Sequence, residues 1–271
     1  MSIKFPGPRA PGGLRCQSSA GADPRNVRRP DLRVWECVLR PGNHDLWVTS
    51  GCSDSLDKLH RLEETCRETG ALREPGLITS GDFMVQVVPL DSWYQEPEDG
   101  DDSLFKGRDG GELWRDAWAD YRHVRWPVNS GDGGIFEYLT GSSRRFERHS
   151  EKVPVMTFSH FLPRRELLRG RHRETGTGTR EPRHSFNFSR VAGSRAIDRN
   201  LRSLSSIVHV YGHQHRNRDR TIEGVRYFSH CLGYLDERDR AHITDLENGL
   251  HPDFGRIWWV ETSKVSRPKA C

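Results

Sequence analysis

The chain has 271 residues, 34% hydrophobic and 30% charged, with 42 Lys and Arg against 38 Asp and Glu. That length buries one substantial core, and a net charge of +4 is too slight for the basic face that nucleic acid demands. No apolar run approaches the roughly 20 residues of a membrane span, and a mean hydropathy of -0.79 predicts a soluble protein with long polar loops.

The six cysteines, Cys16, Cys37, Cys52, Cys66, Cys231 and Cys271, form no C-x-x-C pair. They argue against a disulfide framework or a thiolate zinc site, and for a reducing compartment. Residues 1–32 open the chain with Pro, Gly, Arg and Ser, and Asp23 is the sole acid of the first thirty. This stretch reads as a disordered leader or a misassigned first exon. Its composition also suits an organelle transit peptide, so plastid or mitochondrion stand beside cytoplasm as expected locations. The folded domain is expected over 33–271.

Arg33 to Leu39 is a run of strand formers leading into Pro41-Gly42-Asn43-His44-Asp45. A helix follows over Ser53 to Thr69, with Ser53 or Asp54 as its cap, Leu56, Leu59, Leu62 and Cys66 on one face, and Gly70 at its end. Phe83 to Leu90 reads as the next strand. The acidic stretch after it, with Asp99, Asp101 and Asp102, lacks the alternating ligand order of a calcium loop and reads as a solvated insertion. Glu112 to Arg122 carries an apolar helical stripe of Leu113, Trp114, Ala117, Trp118 and Tyr121, which is core.

Val153 to Ser159 is a third apolar strand, and it ends at His160. The stretch from Arg169 to Ser185 is aperiodic and reads as a surface loop. Ser194 is placed to cap a helix with Ile197, Leu201 and Leu204 inward. That helix leads into a strand through Ile207, Val208 and Val210, which ends in Gly212-His213-Gln214-His215. Residues i and i+2 of an extended segment share a face, so His213 and His215 can address one site. Alone, the pair is as readily a chance cluster on a loop. Gly224 to Leu232 and Arg256 to Val260 are expected to be further strands.

Three strands ending in ligand-type residues change the weighing, because open α/β sheets build their sites at strand carboxyl ends. Gly42-Asn43-His44-Asp45, His160, and Gly212-His213-Gln214-His215 resemble, in order and setting, the last three sequence blocks of the calcineurin-like metallophosphoesterases. The likeness spans roughly residues 33 to 240. It implies an α/β/β/α sandwich of two sheets and a phosphoester hydrolase with two divalent cations (Mn, Fe or Zn). By the resemblance, Asn43, His160 and His213 hold one metal and His215 belongs to the other. His44 faces the leaving group as proton donor or charge stabiliser, and Asp45 orients it. The implied partner is a small-molecule or protein phosphoester.

The family's two earlier blocks, an Asp-x-His and a Gly-Asp with a downstream acid, have no counterpart here, and only 41 residues precede Gly42. The chain therefore reads as lacking the first β-α units and the carboxylate that bridges the metals, so that a single ion is expected. Asp23, Asp31, Asp82 and Asp91 are the candidates to replace that bridge. Two alternatives stand beside the enzyme: a catalytically impaired metal- or ligand-binding protein of the same fold, and a mononuclear structural zinc site in an unrelated fold. Arg164, just after His160, is a candidate phosphate contact because guanidinium pairs bidentately with phosphate oxygens. An ordinary solvated arginine accounts for it equally well.

Overall fold

The computed structural model describes residues 2–4, 37–48, 51–80, 83–105, 117–127, 134–168, 187–216 and 218–229. Its centre is a six-stranded sheet formed by β3 (Gly76–Ser80), β4 (Phe83–Pro89), β5 (Val155–Phe158), β6 (Ser206–Val210), β7 (Arg218–Ile222) and β8 (Val225–Ser229). The order is β3-β4-β5-β6-β8-β7. β4, β5, β6 and β8 run parallel, and the outer strands β3 and β7 return antiparallel. The fold is thus α/β with a mixed sheet.

The parallel strands read as nearly unbroken apolar runs because both faces are covered. Alternation divides their side chains. Val85 and Val87 of β4, Phe158 of β5, and Val208 and Val210 of β6 pack with Ile78 and Val38 on one face. Val88, Val155 and Tyr211 join the larger core on the other face, with Leu59, Leu139, Ile197 and Leu201. Those four come from the helices α1 (Ser55–Thr69), α3 (Gly134–Ser142) and α4 (Arg195–Ser203).

Helix α1 begins as its sequence predicts. Asp54 is the N-cap and accepts from the Asp57 amide, and Gly70 closes the helix in the left-handed region at φ 74. Leu59 and Cys66 are buried, whereas Leu56 and Leu62 are only half-buried. Ser194 stands at the N-cap of α4, but its side chain accepts no helix amide. Ile197, Leu201 and Leu204 are buried as expected.

Other expectations shift. The helix expected over Glu112 to Arg122 is interrupted: Ala117 is helical, the chain breaks at Trp118, and a separate turn, α2 (Asp120–His123), follows. Asp120, the first residue of α2, is buried. β3, β7 and α3 were not read from the sequence. β3 is only five residues long and β7 (Arg-Asp-Arg-Thr-Ile) is polar because it forms the sheet edge. At the chain start, β1 (Ser2–Lys4) pairs antiparallel with β2 (Cys37–Leu39), so the first residues of the stretch expected to be disordered form a strand instead. Arg256 to Val260, the stretch from Arg169 to Ser185 expected as a surface loop, and positions 5–36 lie outside the described residues, and with them Asp23 and Asp31. Among the described residues no helix is long and apolar enough to cross a membrane.

Candidate functional site

Parallel pairing brings the carboxyl ends of β5 and β6 to one edge of the sheet. The ladder continues beyond the strands: Ser159 N–H donates to the Val210 carbonyl at 3.0 Å, and Gly212 N–H to the His160 carbonyl at 3.0 Å. These bonds set His160 and His213 side by side. The turn 41–46 after β2 then delivers Asn43, which is 3% exposed at the start of a 3-10 turn over His44–Leu46.

Three side-chain atoms meet there. His160 Nε2 lies 3.0 Å from Asn43 Oδ1 and 3.1 Å from His213 Nδ1. The protons follow from the outer partners. His213 Nε2 is 3.0 Å from the Val191 carbonyl, which can only accept, so the proton sits on Nε2 and Nδ1 presents a lone pair. Asn43 Nδ2 donates to Asp120 Oδ1 at 2.8 Å, which turns Oδ1 toward the histidines. The Nε2–H of His160 therefore lies between two acceptors. Burial, with His213 close by, holds His160 well below the usual histidine range, and burial brings His213 down to about 3. Both rings are neutral at physiological pH.

Asn43 Oδ1, His213 Nδ1 and His160 Nε2, once its proton moves to Nδ1, form a corner of three lone pairs. Separations of 3.0 and 3.1 Å match an octahedral edge of about 3.0 Å for metal–ligand bonds of about 2.1 Å. Imidazole and amide oxygen suit Zn, Mn or Fe. Among the described residues no three His, Cys, Asp or Glu converge in this way; the third donor is the amide of Asn43.

Gly42 is part of the construction. A Cβ there would stand 2.7 Å from His160 Cε1 and Nδ1, so the ring occupies the space that any other residue would fill. The Gly42 amide donates to Asp45 Oδ2 at 2.8 Å. That bond places Asp45 as the brace of the turn. His44 is exposed and stacks on Trp47, with centroids 3.9 Å apart. Trp47 in turn lies 5.1 Å from the His123 ring. Both His213 and His215 have positive φ, 66 and 50, a conformation costly for a residue with a Cβ. His215 is near enough to depress His160 and His213.

Two candidates lie elsewhere. The Arg164 guanidinium is committed to Glu223 at 2.7 Å, Glu166 at 2.8 Å and Asp198 at 3.4 Å, and these bonds, the one to Glu223 first, raise its pKa. Asp91 is buried against Arg40 at 2.9 Å and Arg73 at 3.3 Å, and also accepts from Ser142 Oγ. Asp82 lies outside the described residues.

Sequence reasoning missed Asp120 and its tryptophans. Asp120 is 1% exposed and accepts from Asn43 Nδ2, Trp47 Nε1 at 2.5 Å and Trp118 Nε1 at 2.7 Å. The signal was an acid set beside the apolar stripe of a helix. His213 is further flanked by Phe161, Phe188 and Trp118, at centroid distances of 4.4, 5.1 and 5.8 Å.

No family model matches the chain, and no curated protein matches it. Among solved structures it is similar to the phosphopantetheinyl hydrolase PptH from Mycobacterium tuberculosis, with 20% identity and a TM-score of 0.54 over 75% of this chain and 71% of the other. At that identity the likeness concerns the fold.

Proposed function

We propose that this chain is a metal-dependent phosphoester hydrolase of the metallophosphoesterase type, with the two-sheet sandwich of that family. The observation that carries the reading is the meeting of Asn43 Oδ1, His160 Nε2 and His213 Nδ1, from three separate segments, with their outer sides held by Asp120 and Val191. The fold shared with a phosphopantetheinyl hydrolase supports it.

In this reading Asn43, His160 and His213 hold the cation, which supplies Lewis acidity toward phosphoryl oxygens. The chain's own residues do the rest. Neutral His160 and His213 keep lone pairs available at the pH of the cell. His44, exposed and braced by Trp47, hands a proton to the departing oxygen. Asp45 holds the turn that carries it. The aromatic flank of Phe161, Phe188 and Trp118 limits water around His213.

The test is hydrolysis of a phosphomonoester, a phosphodiester and a phosphopantetheinyl ester with added Mn or Zn, on wild type, His160→Ala and His44→Ala. Metal-stimulated turnover lost in both variants is expected. Turnover indifferent to both substitutions would sink the proposal.

A second reading, a metal- or ligand-binding protein with impaired catalysis, is favoured by Asp91. The one described candidate for a bridging carboxylate is locked to Arg40 and Arg73. Metal binding without turnover of any of the three esters would establish it.

A further inference from the structure

We infer that Asp120 is the positioning residue of the site: it decides which end of the Asn43 amide faces His160 and His213, and Trp118 makes that decision one-way. The inference rests on the metal reading for its consequence, but its core is a statement about hydrogen bonds that holds without a metal.

An amide side chain can present oxygen or nitrogen to the same neighbour by a half-turn, and nothing in Asn43 itself prefers one. The choice falls to the partner. Asp120 has only acceptors, and its described side-chain hydrogen bonds all come from donors: Asn43 Nδ2 and Trp47 Nε1 on Oδ1, and Trp118 Nε1 on Oδ2. An indole N–H can only donate. Two indoles therefore keep acceptors at both carboxylate oxygens, and Asn43 must turn its nitrogen to Asp120 and its oxygen to His160, where the separation is 3.0 Å. With the amide reversed, Nδ2 would face the histidines and one lone pair of the corner would be replaced by a donor.

Asp120→Asn has a specific consequence. The new amide brings one oxygen and one nitrogen to a place where donors stand on both sides. If its oxygen stays on Asn43 and Trp47, its nitrogen confronts Trp118 Nε1. If it turns to serve Trp118, its nitrogen confronts both Asn43 and Trp47 Nε1, and of these only Asn43 can answer, by reversing. Trp118→Phe removes the confronting indole N–H and keeps a ring beside His213. In the double variant the introduced amide can then settle with its oxygen on Asn43.

The experiment uses the full chain with two readouts. The first, without metal, is the tautomer of His160 by nitrogen NMR: Nε2–H in wild type, shifting toward Nδ1–H in Asp120→Asn, and back to Nε2–H in Asp120→Asn with Trp118→Phe. The second is Zn affinity by titration calorimetry, expected to fall about 10- to 100-fold in Asp120→Asn, the usual range for a residue behind a ligand, and to recover in the double variant. A merely structural role would lower the melting temperature without this rescue. An unchanged tautomer in folded Asp120→Asn, or a folded double variant that restores neither readout, would overturn the inference. Should Asp120→Asn fail to fold, the double variant, free of the conflict, must fold with the wild-type tautomer or the inference falls. If wild type binds no Zn while the tautomer still switches as described, the positioning role stands and the metal reading fails.

Discussion

Replacing Gly42 by Ala tests the packing that unites the turn with His160. The new Cβ would stand 2.7 Å from two ring atoms and 2.9 Å from Nε2, whereas ordinary contact begins at 3.4 Å. The ring or the turn must therefore yield by about 0.7 Å, the difference between 3.4 and 2.7. Neither retreats freely. The Gly42 amide is bonded to Asp45, the His160 carbonyl accepts from Gly212, and the His160 ring packs edge-on against the fully buried Phe161 at 4.9 Å. Overpacking of this kind costs about 1–3 kcal/mol, which lowers the melting temperature of a chain this size by roughly 3–9 °C. The metal effect should be larger in proportion, because coordination tolerates only about 0.2 Å of misplacement. Thermal unfolding without metal and calorimetric titration with Zn read the two effects separately. Gly42→Ala with wild-type melting and affinity within about twofold of wild type would refute the reasoning, since the ring would then have room that the structure denies it.

Other outcomes follow from the same geometry. His209 is buried between Thr157 Oγ1 at 2.8 Å and Ser159 Oγ at 3.1 Å, and burial lowers it to about 3. A histidine lowered on folding contributes stability that is full above its unfolded value of about 6.5 and is lost as pH falls toward 3, at about 1.4 kcal/mol per pH unit. His213 and His160, also lowered by burial, add similar slopes, so urea unfolding of His209→Gln should show a shallower acid limb, about two-thirds as steep, and equal steepness would contradict it. Elemental analysis of the full chain is expected to find one tightly held divalent ion; two would mean that a second cation is held beside the three-atom corner, with His215 as a ligand. Arg164→Ala should lower stability only slightly, because Arg202 still pairs with both Asp198 and Glu223. A raised KM for a phosphoester at unchanged stability would restore Arg164 as a phosphate contact.

Local chemistry made some features legible in the sequence. Asp54 and Gly70 bound α1 because capping is decided within four residues, and β4, β5 and β6 announce themselves by apolar runs that only a doubly covered strand needs. The meeting of His160 and His213 was also readable, because strand ends in a parallel sheet share an edge wherever the chain travels between them, whereas Asn43 follows β2, which pairs with β1 outside that sheet, and joins them only in the fold. What sequence could not settle were contacts between distant residues. Whether the Arg164 guanidinium met phosphate or Glu223 depended on a turn 59 residues away, and Asp91 was a free carboxylate until Arg40 and Arg73 closed on it. Asp120 belonged to no motif: its role exists only because the fold buries it against Asn43, 77 residues away along the chain. Periodicity and motif spacing are properties of neighbours along the chain, and they determine where donors stand. Which atom of each donor faces the site is set by partners that only the folded sheet brings within hydrogen-bonding distance.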